Sequence, residues 1–364
     1  RCFVFAFGTV ALISGMLRPA LAADGSLALV GSIDNRYGVQ MNLNLKGSQV
    51  NGSYKYLGKT SSLKLAGSID PSGKILLKEF DPKGKNTGIF TGVLVKSERL
   101  SGIWKDTAST SDDVGRLPFL LTSEADQKSI GDGTDGIILQ QTVVQIHKRK
   151  DSVSSTPVAV VKYPQVVEKF FPAPSAVATM QASLAPGESL GHPLSKMKSD
   201  IAGGDSWLDG VDYQIHYNKK HLLSLEMIEN GCGAYPSGFS KYTVINTSTG
   251  KILSAKDVFL ESSLKTLKEM IHKKLQANGN EQLKESGVDD PGYRNQLKQD
   301  IAESLKTNPI ELSAYEISEQ GITFKFDWGF PHVILAFEPS GDCFFSFSEL
   351  KPYIRRDGPL SCFL

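Results

Sequence analysis

Val39-Gln40-Met41-Asn42-Leu43-Asn44-Leu45-Lys46 alternates apolar and polar side chains without a break. Successive side chains of a strand point to opposite faces, so Met41, Leu43 and Leu45 share one face and Gln40, Asn42, Asn44 and Lys46 the other. The same plan extends outward in both directions: a short alternating run, then Gly, Asn, Asp, Pro or Ser at a turn. It predicts strands over 27–33, 39–45, 49–56, 62–69, 74–80, 87–95, 99–104 and 117–121. Short strands joined by tight turns make the segment 26–122 an all-β meander or small barrel. Asp70-Pro71-Ser72-Gly73 and Asp81-Pro82-Lys83-Gly84 repeat one turn, with Pro where φ is already fixed and Gly where φ turns positive. Gly52, Gly67, Gly88, Gly92 and Gly102 lie in or beside strands and mark bulges or bends. Tyr54 and Trp104 read as plugs of the barrel core in preference to the lining of a ligand cavity.

Upstream, Arg1 precedes an apolar run over 2–17, followed by Arg18-Pro19 and the small residues Ala20-Leu21-Ala22-Ala23. This is the layout of a secretory signal peptide over 1–22, with cleavage expected after Ala22 and a periplasmic or extracellular destination. The run is short for a spanning helix and no basic stop-transfer cluster follows, so no stable membrane anchor is expected. The 364 residues carry 40 Lys and Arg against 39 Asp and Glu, spread along the chain. A nucleic-acid partner would need a concentrated basic face, and none is present.

Residues 123–136 are polar and rich in Gly and Asp, without periodicity, and read as a linker. A second domain is expected over 137–355, with a tail over 356–364. Val158 opens a β-rich run closed by Pro164; after an irregular stretch, Val211, Tyr213, Ile215 and Tyr217 alternate, then Leu223, Leu225 and Met227, which predicts a hairpin across Asn218-Lys219-Lys220-His221. A third strand over 240–246 and a short one near Ile252 follow. Leu264, Leu267, Ile271 and Leu275 place one stripe on a helix over 261–276, and Leu297, Ile301 and Leu305 mark a second helix after the hydrophilic stretch 279–294. Strands close the domain near 322–326 and 343–347. The order predicts an α+β fold in which helices cover one face of a largely antiparallel sheet.

Chemistry is sparse in this sequence. The six His residues form no His-x-x-x-His pair, there is no Gly-x-Ser-x-Gly turn, and no His stands at ligand spacing from a cysteine. No catalytic residue, metal ligand or cofactor is therefore expected; Asp289-Asp290 and Glu226 with Glu229 read as solvated carboxylates. An alternative reading is a secreted hydrolase that uses Cys232 or a carboxylate pair. In an oxidising compartment Cys232 pairs with Cys343, each in a strand-rich stretch, the other option being Cys343 with Cys362. Two loops offer aromatic side chains to a partner, Tyr235-Pro236 and the stretch with Trp328, Phe330 and His332. Core packing is the competing reading for both.

Tyr163-Pro164-Gln165-Val166, the hairpin through Asp212-Tyr213, Gly231-Cys232-Gly233-Ala234-Tyr235-Pro236, residues 246–250 with Asp257-Val258-Phe259, and Gly321-Ile322-Thr323-Phe324 with Phe347-Ser348-Glu349-Leu350 occur in one order. Over residues 140–355 that order resembles the extracytoplasmic domain family of the DUF4163 and DUF3298 type, shared by lysozyme-sensing anti-sigma factors and the N-terminal region of some peptidoglycan deacetylases. The segment 26–122 is similar to small β domains of exported bacterial proteins. The family resemblance implies recognition, with a lysozyme-like protein or peptidoglycan as the expected partner, because the clustered Asp and His of the deacetylase chemistry have no counterpart in these residues. Many members carry a Gly-Gly-Ala-His type sequence where this chain has Gly233-Ala234-Tyr235-Pro236, so a role resting on that His does not carry over.

Overall fold

The computed structural model describes residues 24–109, 115–124, 135–149, 156–204, 206–233, 235–287 and 289–364. The signal segment 1–22 and most of the expected linker lie outside the described residues. The chain divides into two compact units. Among the described residues no helix is long and apolar enough to cross a membrane.

Eight strands form a closed barrel in chain order: β1 (Gly25–Ile33), β2 (Tyr37–Lys46), β3 (Gln49–Tyr56), β4 (Leu63–Ile69), β5 (Lys74–Phe80), β6 (Asn86–Val95), β7 (Arg99–Asp106) and β8 (Arg116–Ser123). The expected alternation holds, since Met41, Leu43 and Leu45 are buried while Asn42, Asn44 and Lys46 are exposed. At the β4–β5 turn Asp70 accepts the amides of Ser72 and Lys74, and Gly73 takes φ of +83°. Asp81 and Gly84 repeat that turn between β5 and β6. Inside, Tyr54 packs edge-on against Phe90, and Phe90 against Phe119. Tyr54 is thus a core residue, the plug expected of a large aromatic in a small barrel.

The barrel interior also holds a carboxyl group. Glu79 of β5 is buried, and it accepts from Tyr54 Oη at 2.7 Å, Trp104 Nε1 at 2.8 Å and Thr87 Oγ1. Gly88 makes room for this knot, because a Cβ there would stand 2.4 Å from the Trp104 indole nitrogen. Trp104 serves as a hydrogen-bonding prop on a polar group as well as a plug.

The second unit is built on a six-stranded sheet in the order β14-β13-β12-β11-β10-β9, from β9 (Leu139–His147), β10 (Val158–Val166), β11 (Leu208–Lys219), β12 (Leu222–Cys232), β13 (Pro236–Asn246) and β14 (Lys251–Ile252). Among the described strands of this sheet only β10 with β11 runs parallel. Lys220 and His221 at φ of +52° and +60° make the expected tight β11–β12 hairpin. A second, three-stranded sheet follows, β15 (Tyr315–Ile317), β16 (Gly321–Lys325) and β17 (Asp342–Ser346).

Helices lie on both sides of the large sheet, which extends the one-sided expectation. On one face α1 (Val177–Leu184), α2 (Pro186–Leu190) and α3 (Leu194–Gly203) bury Met180, Leu184, Leu190 and Ile201 against Tyr213, Leu223, Leu225 and Met227. These helices fall in the stretch read as irregular. On the other face Tyr217, Leu222 and Val244 join a core with β15–β17 and the helices that follow α4 (Ala255–Val258), namely α5 (Leu264–Glu285) and α6 (Pro291–Thr307), with α7 (Phe347–Leu350) near the end. Helix α5 runs past the expected end at 276 because Gly279 does not break it; a Cβ there would meet Ile301 of α6 at 2.7 Å, so Gly279 is where the helices cross. Asp290, read as a solvated carboxylate, caps α6 by accepting the Tyr293 amide, ahead of Pro291.

A bulge in β11 divides its side chains between the two cores. Ile215 pairs with Leu225 and Tyr217 with Ser224, leaving His216 as the extra residue. Tyr213 and Ile215 face the α1–α3 core, whereas Tyr217 faces the other. The simple alternation expected through Tyr217 therefore ends at Ile215.

The expected Cys232–Cys343 disulfide is not formed, nor is Cys343–Cys362; all three are free thiols. Cys343 sits on β17 opposite Phe324, with Sγ turned to the Ile271 carbonyl of α5, while Cys232 ends β12 in the other sheet. Burial pushes the Cys343 thiol up to about 11. The expected tail is packed: Leu360 is buried and Phe363 stacks on Phe347 at 3.9 Å.

Candidate functional site

Strand β13 changes character along its length. Residues Thr243, Val244 and Ile245 are buried between the two cores, but the six residues from Pro236 to Lys241 are exposed. A cavity of about 920 Å³ opens along this exposed half. Phe239, Lys241 and Tyr242 line one side, Glu188 of α2 borders it, and Phe330 and His332 line the other.

The loop after β16 is shaped by its own polar groups. Asp327 accepts the Gly329 amide at 2.8 Å, Gly329 takes φ of +66°, and the Asn308 amide donates to the carbonyls of Asp327 and Trp328. This turn sends Trp328 inward, 1% exposed and edge-on to Phe326 at 5.1 Å, with its indole N–H unpartnered. Phe330 is buried but still borders the cavity, its amide donating to Glu338. His332 is exposed and stacks on Tyr235, ring centroids 4.7 Å apart and planes 19° apart.

The structure thus brings together four of the five aromatic-loop residues singled out in the sequence. Tyr235 and His332 form one exposed stack, Pro236 and Phe330 border the same cavity, and Trp328 belongs to the core. Five carboxylates line the cavity, Glu188, Glu311, Asp327, Glu338 and Asp342, against Lys241 and Lys325. Lys325 is engaged by Glu316 at 3.3 Å and Asp342 at 3.1 Å. Burial pushes the Glu338 carboxyl up against the pull of the Phe330 amide, and the negative charge of Asp327 adds to the rise.

A polar network that the sequence pattern hid lies beside this cavity. His216 Nε2 meets Glu226 at 2.8 Å and Nδ1 meets Glu316 at 3.3 Å, while Tyr242 donates to Glu226 at 3.0 Å. Alternation from Ile215 already sets His216 on this face beside Glu226, and the bulge brings Tyr217 to the same side. Burial by itself would raise the Glu226 carboxyl, but hydrogen bonds from His216, Ser240 and Tyr242 outweigh it and hold the group at about 2. Among the described residues no cluster of three His, Cys, Asp or Glu is placed to hold a metal ion.

A pH dependence follows. A carboxyl held below its unfolded value of 4.5 contributes stability that is full above that value and is lost as pH falls toward 2. Allowing for solvent screening, Glu226 should supply about 1–2 kcal/mol. Urea unfolding between pH 5 and pH 2.5 is expected to show the wild type losing about that much more stability than Glu226→Gln. Parallel pH profiles for the two proteins would contradict it.

No family model matches the chain, and no curated protein matches it. Solved structures similar to it include a DUF3298 family protein from Pseudomonas aeruginosa, at 14% identity and a TM-score of 0.39, with 62% of this chain and 96% of that one covered, and a DUF3298 family member from Bacteroides fragilis, at 12% and 0.38, with 60% and 95% covered.

Proposed function

We propose that the second unit is a recognition module of the cell envelope, which binds a lysozyme-like protein or a peptidoglycan fragment in the groove beside β13 and performs no reaction on it. The observation that carries this reading is the exposed Tyr235–His332 stack next to an open groove lined by carboxylates. Neither ring is needed by a core, and a rigid aromatic surface gives up little conformational freedom when a partner covers it. The cavity has the volume of a ligand site, and its polar groups converge on one strand edge. The motif order read from the sequence and the leader-like first residues support the envelope setting.

The test is binding of the chain from Ala23 onward to lysozyme and to purified peptidoglycan. Binding to at least one is expected, weakened about tenfold in the Tyr235→Ala, His332→Ala double variant with unchanged circular dichroism. Absence of binding to both removes the reading.

A further inference from the structure

The exposed half of β13 is an open sheet edge. Along one side β13 pairs with β12 over its whole length, from Leu222↔Asn246 to Cys232↔Pro236. On the other side β14 reaches only Ile245 and Asn246, and the Leu253 amide donates to the Val244 carbonyl at 2.7 Å. The backbone groups of Val244 therefore point away from β12. In a strand the N–H and C=O of every second residue point the same way, so those of Tyr242, Ser240 and Gly238 also face outward. Among the described residues their edge has no strand beyond it, and the continuous run from Pro236 to Thr243 lines the cavity. The space wraps the edge: Glu188 borders it from the α2 side of the sheet, and Asp327, Glu338 and Asp342 from the other.

We propose that this edge takes an extended peptide segment of a protein partner as a further strand, and that the segment carries basic side chains. Unpaired main-chain groups at Gly238, Ser240 and Tyr242 would supply the affinity common to any strand, as in other cases of strand addition. The lining selects the charge. With Lys325 and Asp342 paired to each other, Glu188, Glu311, Asp327 and Glu338 stand against Lys241 and form an electronegative surface that favours Lys and Arg and repels Asp and Glu. Phe239 and Leu335, both exposed, offer apolar contact to the aliphatic stems of those side chains. The inference rests on the groove being the recognition site proposed above, and it names protein, not glycan, as the partner.

The probes are a capped ten-residue peptide alternating Lys and Thr, its Glu-Thr counterpart, and the Lys-Thr peptide with every second amide N-methylated. Titration onto the full chain should show the first binding at least about tenfold more tightly than either of the others. Binding should weaken with added salt. Gly238→Pro removes an outward N–H without touching the β12 ladder and should cost a similar factor. If that variant fails to fold, the N-methyl contrast on the unaltered chain still decides. Equal binding of the N-methylated peptide overturns strand pairing, equal binding of the Glu-Thr peptide overturns the charge assignment, and no binding of any peptide overturns both. A dimer of the free chain that Gly238→Pro converts to monomer would give the edge to a second copy and overturn the assignment to a partner. Binding of lysozyme or peptidoglycan without any peptide leaves the reading of the groove standing and sinks this one; peptide binding without either does the reverse.

Discussion

Replacing Trp328 by alanine is expected to destabilise the second unit by about 3–5 kcal/mol. The indole is 1% exposed and packs edge-on between Phe326 at 5.1 Å and Phe330 at 6.4 Å. It also lies over Gly279, where α5 and α6 cross, so the space left behind is walled by two helices and a strand end that cannot collapse together. Trp328→Phe should be far milder, at about 1–2 kcal/mol, because it keeps an aromatic ring and deletes an indole N–H that has no acceptor. Urea unfolding followed by far-ultraviolet circular dichroism measures both. An alanine variant within about 1 kcal/mol of the parent would mean that the ring is not the keystone described.

The second large effect belongs to the barrel. Glu79→Ala is expected to cost about 3 kcal/mol or more, since it removes the one acceptor that the Tyr54 and Thr87 hydroxyls and the Trp104 indole N–H share inside the barrel. Glu79→Gln should cost much less. Its carbonyl oxygen can still accept from Tyr54 and Trp104, and its NH2 can donate to Thr87, whose hydroxyl oxygen is able to accept. Hydrogen exchange of the β5 and β6 amides would report on this knot directly. A Gln variant as unstable as the Ala variant would indicate that the full carboxylate is required, and an unchanged Ala variant that the knot is dispensable.

The barrel was readable because two signals of different origin agree along it. Alternation chooses the buried face, and Asp70-Pro71 with Gly73 and Asp81-Pro82 with Gly84 fix where the chain reverses. The second unit was readable where one strand has one task. Helices α1–α3 escaped because they are short and punctuated by Pro186, Gly191 and Gly204, the residues that normally mark loops. Helix α5 outruns its expected end at 276 through Gly279, a residue that stands where two helices cross. Tyr235, Pro236, Phe330 and His332 were visible as loop aromatics and turn residues, but nothing in their spacing announces that two loops distant in sequence form one stack. The Glu226–His216–Glu316 network was hidden more deeply: alternation sets His216 on the Glu226 face, but nothing in the spacing announces Glu316 on a separate sheet, and the residue inserted into the β11 register moves Tyr217 onto that face as well.

That inserted residue ties the stability of the second unit together. Strand β11 gives Tyr213 to one apolar cluster and Tyr217 to the other, so neither cluster can come apart while the strand stays in place, and the strand cannot leave without opening both. Such sharing favours opening of the two clusters as one cooperative unit. The groove lies alongside these shared strands, so a ligand held there would draw on the resistance of the whole unit to unfolding.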